Sequence, residues 1–128
     1  MKFTTAMLAA AFAVTAGAAM ADGNAKAGAD VFKKCGACHT ATEAKNKVGP
    51  SLMGVVGRPV ATAAGYNYSP AMKTFGADGK KWDEAQLATY LADPKGVVKG
   101  TKMTFAGLKK PEDVANVIAY LKDPAAAK

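Results

Sequence analysis

The chain has 128 residues, with 17 basic and 10 acidic side chains and a formal net charge of +7. This length leaves room for one small domain and excludes a second. The excess of positive charge favours an acidic partner surface. Because the basic residues form no patch with interleaved aromatic side chains, nucleic acid is not the expected partner.

Residues 1–21, MKFTTAMLAAAFAVTAGAAMA, contain one early lysine, an apolar run and a small-x-small triplet that ends at Ala21. This pattern is typical of a cleaved secretory signal peptide. An uncleaved membrane anchor would need roughly 20 strongly apolar residues, whereas this run is shorter and interrupted by a threonine and a glycine. We therefore predict export to a bacterial periplasm and a single mature domain over residues 22–128.

Helical spacing of apolar residues predicts a first helix over about residues 25–36. Residues 40–68 show little periodicity and frequent glycine and proline, which predicts loops. Ser69 as N-cap, a proline in the first turn and Gly76 as a stop predict a short helix. Asp83, followed three residues later by a glutamine, has the pattern of a capping box and predicts another helix.

The last helix is predicted from Pro111 to Lys122. Two acidic residues favour the positive end of its dipole, and Lys122 favours the negative end. Its apolar stripe has the i, i+3, i+4, i+7 spacing of a helix packed on one face, and consists of Val114, Val117, Ile118 and Leu121. No segment alternates as a strand does, so we predict an all-α domain with long loops.

The pentapeptide C-G-A-C-H contains both cysteines of the chain, Cys35 and Cys38, and its single histidine, His39. A thioredoxin-type redox pair would follow a strand, but here a helix precedes it. A structural zinc site takes four ligands, and an aspartate or glutamate would have to complete this one. A disulfide between the two cysteines would close a very small loop and leave His39 unexplained.

Covalent haem attachment is the chemistry that uses all three side chains. Two thiols at this spacing form thioethers with the two haem vinyl groups, and the adjacent imidazole becomes an axial ligand of the iron. A second protein ligand would favour electron transfer over catalysis. The mature chain offers three methionines for that position. Met53 is expected to pack under the ring and Met72 to fill space in a helix, while Met103, in a loop far along the chain, is favoured as the ligand.

The order of several short motifs resembles class I c-type cytochromes, and bacterial periplasmic cytochrome c2 in particular. These motifs are C-G-A-C-H, V-G-P-S-L, G-R-P, G-Y-N-Y-S, Y-L-A-D-P, K-G-T-K-M-T-F-A-G and I-A-Y-L-K. They span most of the mature chain. The resemblance implies a small cytochrome c fold, in which the first and last helices cross and loops and short middle helices surround one covalent haem.

The resemblance also implies roles for single residues. It strengthens Met103 as the iron ligand beside His39 and gives the carbonyl of Pro50 the second ring N–H of that histidine. Hydrogen-bond donors expected near the haem propionates are Arg58, Tyr68, Trp82 and Thr101. Tyr90 is expected near the methionine sulfur, and Phe105 at the haem edge. Gly28 and Phe32 should cross the last helix at Val117 and Tyr120.

Together these features predict a soluble one-electron carrier and not an enzyme. The resemblance implies reduction by a membrane cytochrome bc complex and oxidation by a photosynthetic reaction centre or a terminal oxidase, with no more than peripheral membrane contact. A monomer is expected. Lysines predicted to dock on acidic partners are Lys33, Lys34, Lys47, Lys95, Lys99, Lys102 and Lys109. The alternative is a haem protein with a labile sixth site, acting as a peroxidase or a gas sensor.

Overall fold

The computed structural model describes residues 23–128, so the predicted signal peptide lies outside the described residues. Within them the regular structure is helical, which confirms the all-α prediction. One isolated antiparallel bridge joins Pro59 and Lys81. The α-helices are α1 (Ala25–Phe32), α2 (Pro70–Gly76), α3 (Glu84–Ala92), α4 (Pro94–Val97) and α5 (Pro111–Lys122), followed by a 3₁₀ helix, Pro124–Ala127.

The helices predicted from capping residues begin where those residues stand. The Ser69 hydroxyl accepts the N–H of Met72 at 3.1 Å, at the start of α2. The Asp83 carboxylate accepts the N–H of Gln86 at 2.7 Å, at the start of α3. Each bond satisfies a backbone donor that the first turn of a helix cannot pair internally.

The first helix is shorter than predicted, because it ends at Phe32 and not near Gly36. Beyond this point the chain tightens into turns, where the N–H of Cys35 donates to the carbonyl of Phe32, three residues back, at 2.7 Å. The N–H of His39 then donates to the carbonyl of Cys35 at 2.9 Å. The C-G-A-C-H segment is therefore a compact run of turns after α1 and not its last helical turn.

Helices α1 and α5 cross in close contact at Gly28. A Cβ at this position would lie 1.9 Å from the carbonyl oxygen of Asn116 and 2.8 Å from the Cβ of Tyr120. The rings of Phe32 and Tyr120 pack with centroids 5.3 Å apart, and Val117 is 1% exposed. This confirms the predicted crossing, which only a residue without a side chain permits.

Two short helices were not predicted. Pro94 begins α4, with Asp93 as N-cap, whose carboxylate accepts the N–H of Gly96 at 3.1 Å. The terminal 3₁₀ helix, Pro124–Ala127, likewise follows a proline. Proline is tolerated in the first turn of a helix, where its missing N–H costs nothing.

A short antiparallel pairing positions the middle of the chain. The N–H of Gly57 donates to the carbonyl of Trp82 at 2.7 Å, and the N–H of Trp82 donates to the carbonyl of Arg58 at 2.9 Å. These bonds bring the loop after the C-G-A-C-H segment against the start of α3. Among residues 23–128 no helix has the length and apolar character needed to cross a membrane.

Candidate haem site

The loops and helices surround a mostly apolar cavity of about 430 Å³. This volume lies in the range of roughly 300–1,000 Å³ usual for ligand and cofactor sites. All predicted site residues except Thr101 line it, namely Cys35, Cys38, His39, Pro50, Arg58, Tyr68, Trp82, Tyr90, Met103 and Phe105. Residues far apart in sequence, from 35 to 105, therefore meet at one site.

The turns after α1 place both cysteines and the histidine on one wall. The N–H of Cys38 donates to the carbonyl of Cys35 at 3.1 Å, and the two residues are not joined as a disulfide. Burial raises the pKa of the Cys35 thiol. In the described part of the chain no three His, Cys, Asp or Glu side chains come together as a metal-binding group, so the carboxylate-completed zinc site is absent there.

The imidazole of His39 is held in one tautomer. Its Nδ1 lies 2.8 Å from the carbonyl oxygen of Pro50, which can only accept a hydrogen bond, so Nδ1 has the proton. Burial lowers the pKa of His39, and the bond to Pro50 opposes this shift. The ring is thus neutral, with the lone pair on Nε2, the form in which histidine binds a metal.

Gly49 allows this histidine to lie against the backbone. A Cβ at Gly49 would be 2.4 Å from Cε1 and 2.9 Å from Nε2 of His39. The N–H of Gly49 also donates to the carbonyl of Cys38 at 2.8 Å. Sequence reasoning treated this glycine as loop punctuation, although its position in V-G-P directly before Pro50 is the signal that could have identified it.

Met103 lies in the loop between α4 and α5. The phenol oxygen of Tyr90 is 4.0 Å from its sulfur, as the resemblance implied. Its N–H donates to the hydroxyl of Thr101 at 3.2 Å. The Thr101 hydroxyl accepts this bond and keeps its own proton to donate, and Thr101 lies beside Met103 without lining the cavity itself.

The other two methionines occupy different environments. The expectation that Met53 packs under the ring is wrong, because it is 46% exposed and does not line the cavity. Its N–H donates to the Ser51 hydroxyl at 3.2 Å, and a turn with Gly54 at φ 67° follows it. Met72 lines the cavity and packs, half-buried, against the core.

Arg58 has one donor without a partner. Its Nη2 donates to the carbonyl of Ser51 at 3.1 Å, and its Nη1 donates to the carbonyl of Met53 at 3.3 Å. Its Nε is buried and has no hydrogen-bond acceptor among the described residues. A buried N–H requires an acceptor, and a carboxylate of a bound cofactor is an acceptor of suitable charge.

Aromatic side chains complete the wall beside Arg58. The hydroxyl of Tyr68 accepts the N–H of Ala63 at 2.9 Å, which leaves its own proton to donate. Tyr66, which sequence reasoning did not select, packs edge-on against Tyr68 at 4.8 Å between centroids. The Trp82 indole packs on the Tyr90 ring at 4.9 Å between centroids.

One further residue missed from the sequence joins two loops. The Asn46 side chain donates to the carbonyl of Ala64 at 2.8 Å and accepts the N–H of Ser51 at 2.9 Å. It fixes the loop that contains Tyr66 and Tyr68 against the loop after His39. No periodicity or motif in the sequence identifies Asn46, because only the fold brings Ala64 and Ser51 to its side chain.

The residues present fit a haem. One wall has the sulfurs of Cys35 and Cys38 and the neutral imidazole of His39, and the rest of the lining is mostly apolar. The buried Nε–H of Arg58 has no acceptor among the described residues. A small all-α fold with such a cavity defines a c-type cytochrome, a protein with one covalently attached haem c and its iron.

Comparison with known proteins identifies the family. The cytochrome c family model matches residues 25–124. The chain is 54% identical to cytochrome c-554 of Methylosinus trichosporium, over 87% of this chain and 83% of that protein. It is 58% identical to cytochrome c2 iso-2 of Magnetospirillum fulvum, over 71% of this chain and 92% of that protein.

A solved structure supports the same family assignment. Cytochrome cH from Methylobacterium extorquens superposes with a TM-score of 0.72 at 48% identity, over 78% of this chain and 98% of that one. The chain belongs to the cytochrome c family. It is accordingly an electron-transfer protein with a covalent haem c, and not an enzyme.

Proposed function

We propose that the chain is a soluble periplasmic one-electron carrier whose haem iron is bound by His39 and Met103. The observation that carries this proposal is the bond from His39 Nδ1 to the Pro50 carbonyl, which leaves Nε2 as the free nitrogen. Met103 lines the same cavity, with Tyr90 beside its sulfur. Met72 also lines the cavity, but it stands in the short helix α2 and packs against the core, so we assign it to packing and not to the iron.

Each remaining residue has a defined task in this proposal. Cys35 and Cys38 provide the thioether sulfurs, and haem supplies the one-electron change when bound. Arg58, Tyr68 and Trp82 donate to the propionates, which need partners when buried. Tyr90, in α3, lies beside the Met103 sulfur, and Phe105 covers the haem edge from the methionine loop. Thr101 keeps its place near the propionates, while its hydroxyl oxygen accepts the Met103 N–H.

The partners we propose are a cytochrome bc complex as reductant and a reaction centre or terminal oxidase as oxidant. Export, with cleavage after Ala21, would deliver the chain to the periplasm, where it would meet these partners as a monomer. The lysines proposed for docking are all exposed, namely Lys33, Lys34, Lys47, Lys95, Lys99, Lys102 and Lys109. Of these, Lys34 and Lys102 also line the cavity. Complementary charge provides fast association and fast release.

Visible spectra of the exported haem protein test the ligand assignment. We expect a sharp low-spin spectrum, easy reduction by ascorbate, a weak iron–sulfur charge-transfer band and no response to carbon monoxide. Met103→Leu should remove the band and admit carbon monoxide, whereas the matched variant Met72→Leu should retain wild-type ligation. Prompt carbon monoxide binding by the wild type would instead support the open-site alternative.

Salt dependence tests the docking surface. The rate of reduction by an isolated cytochrome bc complex should fall as ionic strength rises, because salt screens exposed charges. An unchanged rate would contradict docking through lysines.

A further inference from the structure

The lysines proposed for docking do not share one environment. The Nζ of Lys47 donates to the carbonyl of Gly36 at 2.7 Å. The Nζ of Lys109 donates to the carbonyl of Ala106 at 3.0 Å and, more weakly, to that of Ala92 at 3.4 Å. No comparable bond to another described residue engages the Nζ of Lys34 or Lys102. Two of these ammonium groups are therefore directed at the protein's own backbone.

Lys47 lies across the segment that contains the cysteines. Gly36 stands between Cys35 and Cys38, so the bond from the Lys47 ammonium holds the turn that joins the two cysteines. The N–H of Lys47 also donates to the carbonyl of Gly49 at 2.9 Å. Lys47 thus joins the cysteine turn to the residue against which the His39 ring lies.

Lys109 is the counterpart on the opposite loop. Ala92 is the last residue of α3, where unpaired carbonyls attract a cation. Ala106 belongs to the loop that contains Met103. The N–H of Leu108 donates to the carbonyl of Leu91 at 2.8 Å, beside the same junction. Lys109 thus fastens the methionine loop to the helix that contains Tyr90.

We infer that Lys47 and Lys109 are positioning residues that brace the two ligand-bearing segments, in addition to adding positive charge to the docking surface. This inference rests on the proposed function, because it takes His39 and Met103 as the iron ligands. Bracing suits an electron carrier, since ligands that stay in place limit rearrangement during electron transfer.

The chain offers a matched control for each brace. Lys45 and Lys110 are exposed like their neighbours, yet their Nζ atoms make no bond to another residue of the described chain. Lys47→Ala against Lys45→Ala, and Lys109→Ala against Lys110→Ala, each remove one positive charge from nearly the same place. Within each pair only the first variant loses a bond to the backbone.

Amide hydrogen exchange of the haem-loaded protein is the first measurement. We expect Lys47→Ala to speed exchange at the Gly49 N–H, and Lys109→Ala to speed it at the Leu108 N–H. Each increase should be about 1.4- to fivefold, the range for exposed charged contacts. The two controls should stay near the wild-type rate. Lys47→Arg and Lys109→Arg, which retain charge and donors, should restore most of the protection.

The iron–sulfur band is the second measurement. Lys109→Ala should lose the band at lower urea concentration than Lys110→Ala, while a docking role alone would alter only the salt dependence of partner reactions. Equal exchange and equal band loss within both pairs would overturn the inference. A wild-type protein without the band would overturn the proposed ligation instead, and the exchange comparison would still decide whether the two lysines brace their segments.

Discussion

The crossing of α1 and α5 and the loop that contains Met103 are held by different kinds of contact. At the crossing, backbone meets backbone at Gly28, and Val117 is almost fully buried. Along the loop, Met103 and Phe105 are only partly buried against the core, and hydrogen bonds contribute, such as the one from the Met103 N–H to the Thr101 hydroxyl. Two glycines with positive φ, Gly100 at 86° and Gly107 at 107°, shape its course.

This difference separates two properties of the molecule. Close packing contributes much of the free energy of folding, and a defect in it is felt by the whole domain. A loop held by a few hydrogen bonds can open locally at lower free energy. We therefore expect the crossing to determine global stability, and the loop to determine whether Met103 stays on the iron.

The largest effect should come from Gly28→Ala. Its Cβ would lie 1.9 Å from the Asn116 carbonyl oxygen, so the two helices must separate. Overpacking of this kind should lower the free energy of unfolding by about 3 kcal/mol, measured by urea denaturation of the haem protein. The iron–sulfur band and the helical signal should be lost together.

Gly36→Ala is the control for this prediction. A Cβ at Gly36 would approach its nearest neighbour, the Phe32 carbonyl oxygen, at 3.7 Å, an ordinary contact distance. Its free energy of unfolding should stay within about 0.5 kcal/mol of the wild type. Equal losses in the two variants would mean that close approach at Gly28 does not fix the crossing.

The next largest effect should come from Gly107→Ala and should be local. Its φ of 107° disfavours a side chain, and a Cβ would lie 2.3 Å from the Ala92 carbonyl oxygen. We expect about 1–3 kcal/mol of strain in the methionine loop. During urea titration the iron–sulfur band should then disappear well before the helical signal.

Gly100→Ala separates backbone strain from crowding. This residue also has positive φ, but its nearest neighbour would be the Ala71 Cβ at 3.5 Å, so only backbone strain remains. Its band should persist to a higher urea concentration than that of Gly107→Ala. If band and helical signal were lost together in Gly107→Ala, the loop and the crossing would be one cooperative unit.

The parts of this structure that could be predicted from sequence are governed by local chemistry. The starts of α2 and α3 follow from Ser69 and Asp83, because a cap bonds a backbone N–H only three residues ahead. The last helix follows in the same way from its proline, its charges and its apolar stripe. The C-G-A-C-H pentapeptide contains its chemistry within five consecutive residues.

The features that sequence reasoning missed depend on partners far along the chain. Met53 was placed under the ring, but it is exposed, next to a turn with Gly54 at positive φ. The Thr101 hydroxyl accepts the Met103 N–H, a bond that no sequence pattern marks. Lys47 and Lys109 look like other surface lysines in the sequence, and only the folded arrangement shows which carbonyls they meet.

The smallest effect should come from Thr101→Val. Valine has nearly the shape of threonine but cannot accept the Met103 N–H, so the loop loses one hydrogen bond, worth about 0.5–1 kcal/mol. Because the loss is confined to the loop, the iron–sulfur band should fade at a lower temperature than in the wild type. The global unfolding midpoint should barely change. Thr101→Ser, which keeps the hydroxyl, should preserve the band, and a band equally weakened in both variants would show that this hydrogen bond does not hold the loop.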